Sequence, residues 1–114
     1  AAASNGKIFA CGGWDGVEYL CSVEMLCTSK GVWEAVDPMS TPRCFAAAAF
    51  IGTKLYVVGG YHESTNLASG EVYDTVTERW TPLPPMHTPR RGLGLAAVGS
   101  RLYAVGGWDG NQNL

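Results

Sequence analysis

The chain has 114 residues, about one small domain, with 46% hydrophobic residues, 16% charged residues and a formal net charge of −2. It carries no cluster of Lys and Arg, which argues against nucleic acid or an anionic membrane surface as partner. Its longest unbroken apolar run, Phe45–Ile51, is far shorter than the roughly 18 residues of a membrane span.

Read in chain order, Lys7–Gly12 is a short apolar run ending at the doublet Gly12-Gly13, the pattern of a buried strand. A segment with Glu24 and a short one with Trp33 follow, then Pro38-Met39 and Thr41-Pro42-Arg43. Cys44–Ile51 is a strand of small residues. The same succession then returns. Lys54–Gly59 leads to Gly59-Gly60, and Tyr61–Ala68 has the composition of a loop. Ser69–Asp74, with Glu71, alternates as a strand; Asp74, Thr75 and Thr77 are turn residues. Arg79–Leu83 carries Trp80, and Pro84, Pro85 and Pro89 force an irregular link. Thr88-Pro89-Arg90 precedes the small-residue strand Arg91–Val98. Arg101–Gly106 and Gly106-Gly107 open a third copy.

The doublets are spaced by 47 residues, from 12 to 59 and from 59 to 106, so the chain divides into repeats at 1–51, 52–98 and 99–114. A single repeat of four short antiparallel strands cannot bury a sheet face. Stacking repeats radially does, and the expected fold is all-β, a partial β-propeller of about two and a quarter blades. The small-residue strand belongs innermost. In this accounting the first blade lacks its inner strand, the second is whole and the third has two strands. The chain is therefore expected to be a fragment of a larger propeller.

The recurring residues have structural readings. Gly12, Gly13, Gly59, Gly60, Gly106 and Gly107 suit points where the backbone turns or meets a neighbour, and they lack the P-loop pattern of phosphate binding. Trp33 and Trp80 are expected to fill wedges between blades. Glu24, Glu71, Arg43 and Arg90 are expected to form buried acid–base pairs linking strands. The cysteines Cys11, Cys21, Cys27 and Cys44 all lie in the first repeat, without zinc-type spacing or a disulfide framework. Such usage suits a reducing compartment, and a cytoplasmic location is expected. Cys27 and Cys44 are expected to be the exposed thiols. No nucleophile elbow is present, and His62 and His87 are the only histidines. No catalytic residue, metal or cofactor is expected.

Binding is expected from residues that vary within the constant frame. Trp14-Asp15, Tyr61-His62 and Trp108-Asp109 follow the doublets; Cys44 and Arg91 follow Thr-Pro-Arg. Loops at equivalent places of a propeller gather on one face, and aromatic and Arg side chains dominate protein hot spots.

The doublet, the aromatic-Asp-Gly, Glu24 or Glu71, the Trp, Pro-Met and Thr-Pro-Arg together resemble the kelch repeat over almost the whole chain. Trp14-Asp15-Gly16, Trp108-Asp109-Gly110 and the Pro-Met-x-Thr-Pro-Arg most resemble the Kelch-like group. The first repeat departs from the pattern with Leu26-Cys27 where the second has Tyr73-Asp74. The resemblance implies a propeller preceded by BTB and BACK domains. It further implies that the eight residues Trp14, Asp15, Cys44, Tyr61, His62, Arg91, Trp108 and Asp109 line the face that captures a partner peptide. The function implied is substrate recruitment, through a degron-like segment, to a cullin-type ubiquitin ligase, with cullin contacted only through the BTB and BACK domains. The alternative is an actin-binding or cytoskeletal scaffold. Copper-radical oxidases that share a kelch propeller need a Tyr, His and Cys set for which this chain has no match, so an enzyme is not expected.

Overall fold

The computed structural model describes all 114 residues, Ala1–Leu114, and its regular elements are strands alone. They are β1 (Ala2–Ser4), β2 (Lys7–Trp14), β3 (Tyr19–Cys27), β4 (Val32–Val36), β5 (Ala47–Ile51), β6 (Lys54–Val58), β7 (Tyr61–His62), β8 (Thr65–Asn66), β9 (Gly70–Asp74), β10 (Arg79–Leu83), β11 (Gly94–Val98) and β12 (Arg101–Val105). The first sheet has the order β1-β2-β3-β4, the second β5-β6-β9-β10, and the third is the pair β11-β12. All pairings are antiparallel. Strand β5 lies beside both β1 and β11, so the inner strands of the three sheets converge. Their residues, such as Ala47-Ala48-Ala49 and Ala96-Ala97, are small enough for that crowding. This is the arrangement of successive propeller blades.

The first blade has an inner strand, contrary to the expectation from the repeat. Ala2, Ala3 and Ser4 pair with Phe9, Ile8 and Lys7. The strand has three residues, two of them alanine, and so lacks a β-strand signature of its own. Its signal lies in the turn. Asn5 and Gly6 both adopt positive φ, 50° and 73°, the type I′ geometry that joins two strands in a tight hairpin. A second difference falls at Tyr61–Ala68, read as a loop. Here Glu63 and Ser64, with φ of 46° and 65°, form another such turn, and β7 pairs with β8 across it. The third concerns Arg91–Val98, where regular pairing begins only at Gly94.

The core lies between the first two blades. Phe9 and Val23 of the first sheet and Met39 of the link meet Leu55, Val57 and Tyr73 of the second. Strand periodicity explains which residues take part: Leu55 and Val57 point to one face of β6 and Tyr56 to the other. Phe9 meets Phe50 edge-on at 5.5 Å, and Tyr73 stacks obliquely on Trp80 at 5.1 Å. On β12 Tyr103, Ala104 and Val105 are all exposed, and Leu102 alone is partly covered.

Candidate functional site

The glycine doublets position the site. Gly59 has a φ of 68°, and a Cβ there would lie 2.6 Å from the carbonyl oxygen of Arg90. Gly60 has a φ of 103°, and its Cβ would lie 2.7 Å from the carbonyl oxygen of Cys44. Only glycine meets both demands, of conformation and of space. The close approach allows the Gly60 N–H to donate to the Arg90 carbonyl at 2.9 Å and the Gly13 N–H to the Arg43 carbonyl at 2.7 Å. The doublets Gly12-Gly13 and Gly59-Gly60 thus each clasp the Thr-Pro-Arg segment that leads into the next blade.

Arg43 secures that segment from inside. Its Nη1 donates to the carbonyls of Gly59 (3.0 Å) and Ser69 (2.8 Å), and its Nη2 to Ser69 Oγ (3.0 Å) and Glu71 Oε2 (3.4 Å). The two charged side chains are 1% and 5% exposed. Burial draws the Arg43 pKa down, and the neighbouring Glu71 carboxylate opposes that shift. Glu71 also accepts from the backbone N–H groups of Ser40 and Thr41, which ties the interblade link to β9.

The structure does not build this pair at the other two places. Glu24 is exposed, and Arg90 reaches only the carbonyls of Gly106 (3.0 Å) and Thr88 (3.4 Å). The tryptophans differ in the same way. Trp80 donates from Nε1 to the Asp37 carbonyl of the first blade at 2.7 Å, joining the two blades. Trp33, expected as a wedge, is 48% exposed because no sheet stands beside that face of the first blade.

With the frame held, the segments after Thr-Pro-Arg meet the loops after the doublets. Cys44 and Tyr61 exchange backbone hydrogen bonds of 3.1 and 2.8 Å, and Arg91 and Trp108 do the same at 3.1 and 2.9 Å. The side chains that emerge surround a concavity of about 670 Å³. Of the eight expected contact residues, Trp14, Cys44, Tyr61, Arg91 and Trp108 line it. The Arg91 guanidinium lies 4.5 Å above the centre of the Tyr61 ring, a cation–π contact that holds it at the wall. Arg91 is the single charged side chain of the lining.

Asp15, His62 and Asp109 lie outside the lining. Asp15 Oδ1 accepts from the backbone N–H groups of Val17 and Glu18, both at 2.8 Å. Asp109 Oδ1 accepts in the same way from Asn111 (2.7 Å) and Gln112 (2.8 Å). These bonds favour the carboxylate form and lower both pKa values, led by Glu18 for Asp15 and by Asn111 for Asp109. The Asp after each Trp therefore shapes the loop that presents the Trp. His62 packs edge-on against Tyr19 at 5.5 Å, behind the lining. Cys44, expected as an exposed thiol, is 4% exposed, and burial raises its pKa. Its Sγ donates to the Tyr61 carbonyl, because the bridge between the two residues closes over it.

Two aromatic residues absent from the expected set complete the wall, Tyr19 and Phe45. Phe45 is 66% exposed and has a φ of 54°. The equivalent residue one repeat later is Gly92, with a φ of 64°. A bulky residue in the left-handed region is an outlier, and such strain gathers at functional positions. The legible signal was the alignment of Phe45 with a glycine.

Comparison with protein-family models matches the Kelch motif at residues 1–40, 42–87 and 89–114, nearly the entire chain. A search among curated proteins returns no match.

Proposed function

Because the chain belongs to the kelch-repeat family, and is in that general sense a protein-interaction module, we propose that its aromatic concavity captures an extended peptide. The peptide would combine an apolar or aromatic anchor with a nearby carboxylate. The observation that carries this reading is the composition of the lining. Trp14, Tyr19, Phe45, Tyr61 and Trp108 surround one cation, Arg91, which makes no ion pair. Aromatic rings offer large contact area with little entropy to lose, and a guanidinium held by stacking is set to receive a carboxylate in fork geometry.

On the Trp-Asp-Gly and Pro-Met-x-Thr-Pro-Arg motifs, the proposal extends to a cytoplasmic substrate adaptor of a cullin-type ubiquitin ligase. The peptide would then be a degron-like segment, and cullin would be held by BTB and BACK domains outside these 114 residues.

Panning a library of random displayed peptides against the chain tests the binding reading. We expect enriched sequences that share an acidic residue next to an aromatic or aliphatic one. Their affinity should fall about tenfold or more with Tyr61→Ala or Arg91→Ala, while the denaturant midpoint barely moves. Enrichment of basic or featureless peptides would overturn it. Co-sedimentation with actin filaments that ignores both substitutions would favour the scaffold alternative. Ubiquitination of a reporter carrying the enriched peptide, dependent on the full-length protein, tests the ligase reading.

A further inference from the structure

The first two blades enclose a second recess between them, near the start of β2 and away from the doublet at its other end. It has a volume of about 220 Å³ and shares no residue with the aromatic concavity. That is below the roughly 300–1,000 Å³ of sites for drug-sized ligands and suits a single long side chain. Its floor is aromatic, formed by Phe9 of β2 and Tyr73 of β9 with ring centres 6.4 Å apart. Tyr73 is 5% exposed, and its hydroxyl, directed into the recess, has no hydrogen-bond partner. A buried polar side chain left unpaired is uncommon and costly. Three carboxylates stand exposed around the rim: Glu34 of β4, Asp37 of the link and Glu78 of the β9–β10 turn. None of them joins an ion pair, nor does Lys7, the one cation of the lining. Burial raises the Tyr73 pKa, and Glu78 and Asp37 raise it further, so the hydroxyl stays protonated in the field of both charges.

The repeat shows that the fold does not require these acids. Their equivalents one repeat away are Thr81 for Glu34, Pro84 for Asp37 and Gly31 for Glu78. Glu78 holds a φ of 58° where Gly31 has 67°, so a carboxylate is kept at a place that glycine fills without strain. Both blades that form the recess have all four strands, so it owes nothing to an uncovered sheet. We propose that the recess receives an arginine side chain presented by an extended segment of a partner protein, on a contact surface separate from the concavity. The stem lies over Phe9 and Tyr73, and the guanidinium donates to the Tyr73 hydroxyl and the rim carboxylates. A metal ion is a poorer occupant, because the carboxylates do not converge into a metal-holding cluster. Lysine is poorer as well, since the five donors of a guanidinium fan out to acceptors on separate elements. The Trp80 bond to the Asp37 carbonyl holds the link against the second blade and so fixes the rim.

The test is a titration of the isotope-labelled 114-residue chain with the capped tripeptide acetyl-Gly-Arg-Gly-amide, followed by amide chemical shifts. Saturable shifts centred on Glu34, Asp37, Tyr73 and Glu78 are expected. Replacing the peptide's arginine by citrulline, its neutral isostere, should abolish them. Affinity should fall about tenfold or more in the double variant Glu34→Gln, Glu78→Gln, whose side chains are exposed and leave folding intact. Tyr73→Phe, which keeps the ring and removes the hydroxyl, should lower it about threefold, and Arg91→Ala should leave it unchanged. Absence of saturable shifts, an equal response to the citrulline peptide, or undiminished binding by the double variant would each overturn the proposal. Shifts centred on Trp14, Tyr61 and Arg91 would overturn it by sending the arginine to the concavity. Calcium chloride that displaces the peptide and reproduces its shifts would do so by making the recess a metal site.

Discussion

The second blade and its two neighbours share several landmark residues and use them differently. Arg43 is enclosed by four acceptors, whereas Arg90 meets two carbonyls. Trp80 closes a hydrogen bond on the first blade, while Trp33 stands half exposed. Gly60 is pressed against the Cys44 carbonyl and Gly107 likewise against that of Arg91, whereas Gly13 of the first blade has open space where its Cβ would be. The second blade alone has a sheet on each side. The repeat sequence therefore encodes half of each interface, and the energetic worth of a residue depends on whether the other half is present.

The comparison can be broken most sharply at the arginines. Arg43→Ala leaves Glu71 buried without its cation and is expected to cost about 3–5 kcal/mol, against about 1 kcal/mol for Arg90→Ala. Equal shifts in urea midpoint would show that the buried pair adds nothing beyond the bond to the doublet. Next come the glycines. Gly60→Ala combines left-handed strain with a clash against backbone, expected at about 3 kcal/mol, whereas Gly13→Ala carries the strain alone at about 1–2 kcal/mol. Thermal melts of the two variants should separate clearly, and a harmless Gly60→Ala would refute the close approach.

The tryptophans sharpen the same point with a smaller difference. Trp80→Ala removes a partly buried ring and an interblade hydrogen bond, for about 3 kcal/mol, and Trp33→Ala should cost less than about 1 kcal/mol. The smallest effect is chemical. Cys27, the last residue of β3, has its thiol pKa lowered, first by Ser29 Oγ at 3.2 Å and then by the Lys30 backbone. Burial pushes Cys11 up to about 11 and raises Cys44. Iodoacetamide at neutral pH should label Cys27 first, because the thiolate is the reactive form. Faster labelling of Cys44 would mean that its bridge to Tyr61 opens readily.

Much of this was open to reading along the chain. The 47-residue period, the doublets and the strand alternation lead to antiparallel blades with small residues innermost, because each depends on local pattern. The binding face was legible in part: Trp14, Tyr61, Arg91 and Trp108 follow fixed landmarks, and landmarks fix where a loop emerges. Phe45 was hidden inside a run read only as an apolar strand, and Tyr19 has no aromatic counterpart in the second repeat, where Asn66 stands. The short strand Ala2–Ser4 is three small residues without periodicity, and only Asn5-Gly6 announces its hairpin.

By itself, the sequence determined the repeat, the blade and the residues set aside for close backbone contact, since period and residue type act over a few neighbouring positions. Only the tertiary structure decided which Arg finds a carboxylate, which Trp finds a blade, and that the Asp after Trp14 and Trp108 shapes its own loop. Those outcomes depend on what stands across a gap between sheets. Burial and pairing are properties of two surfaces, and a chain read residue by residue shows one of them at a time.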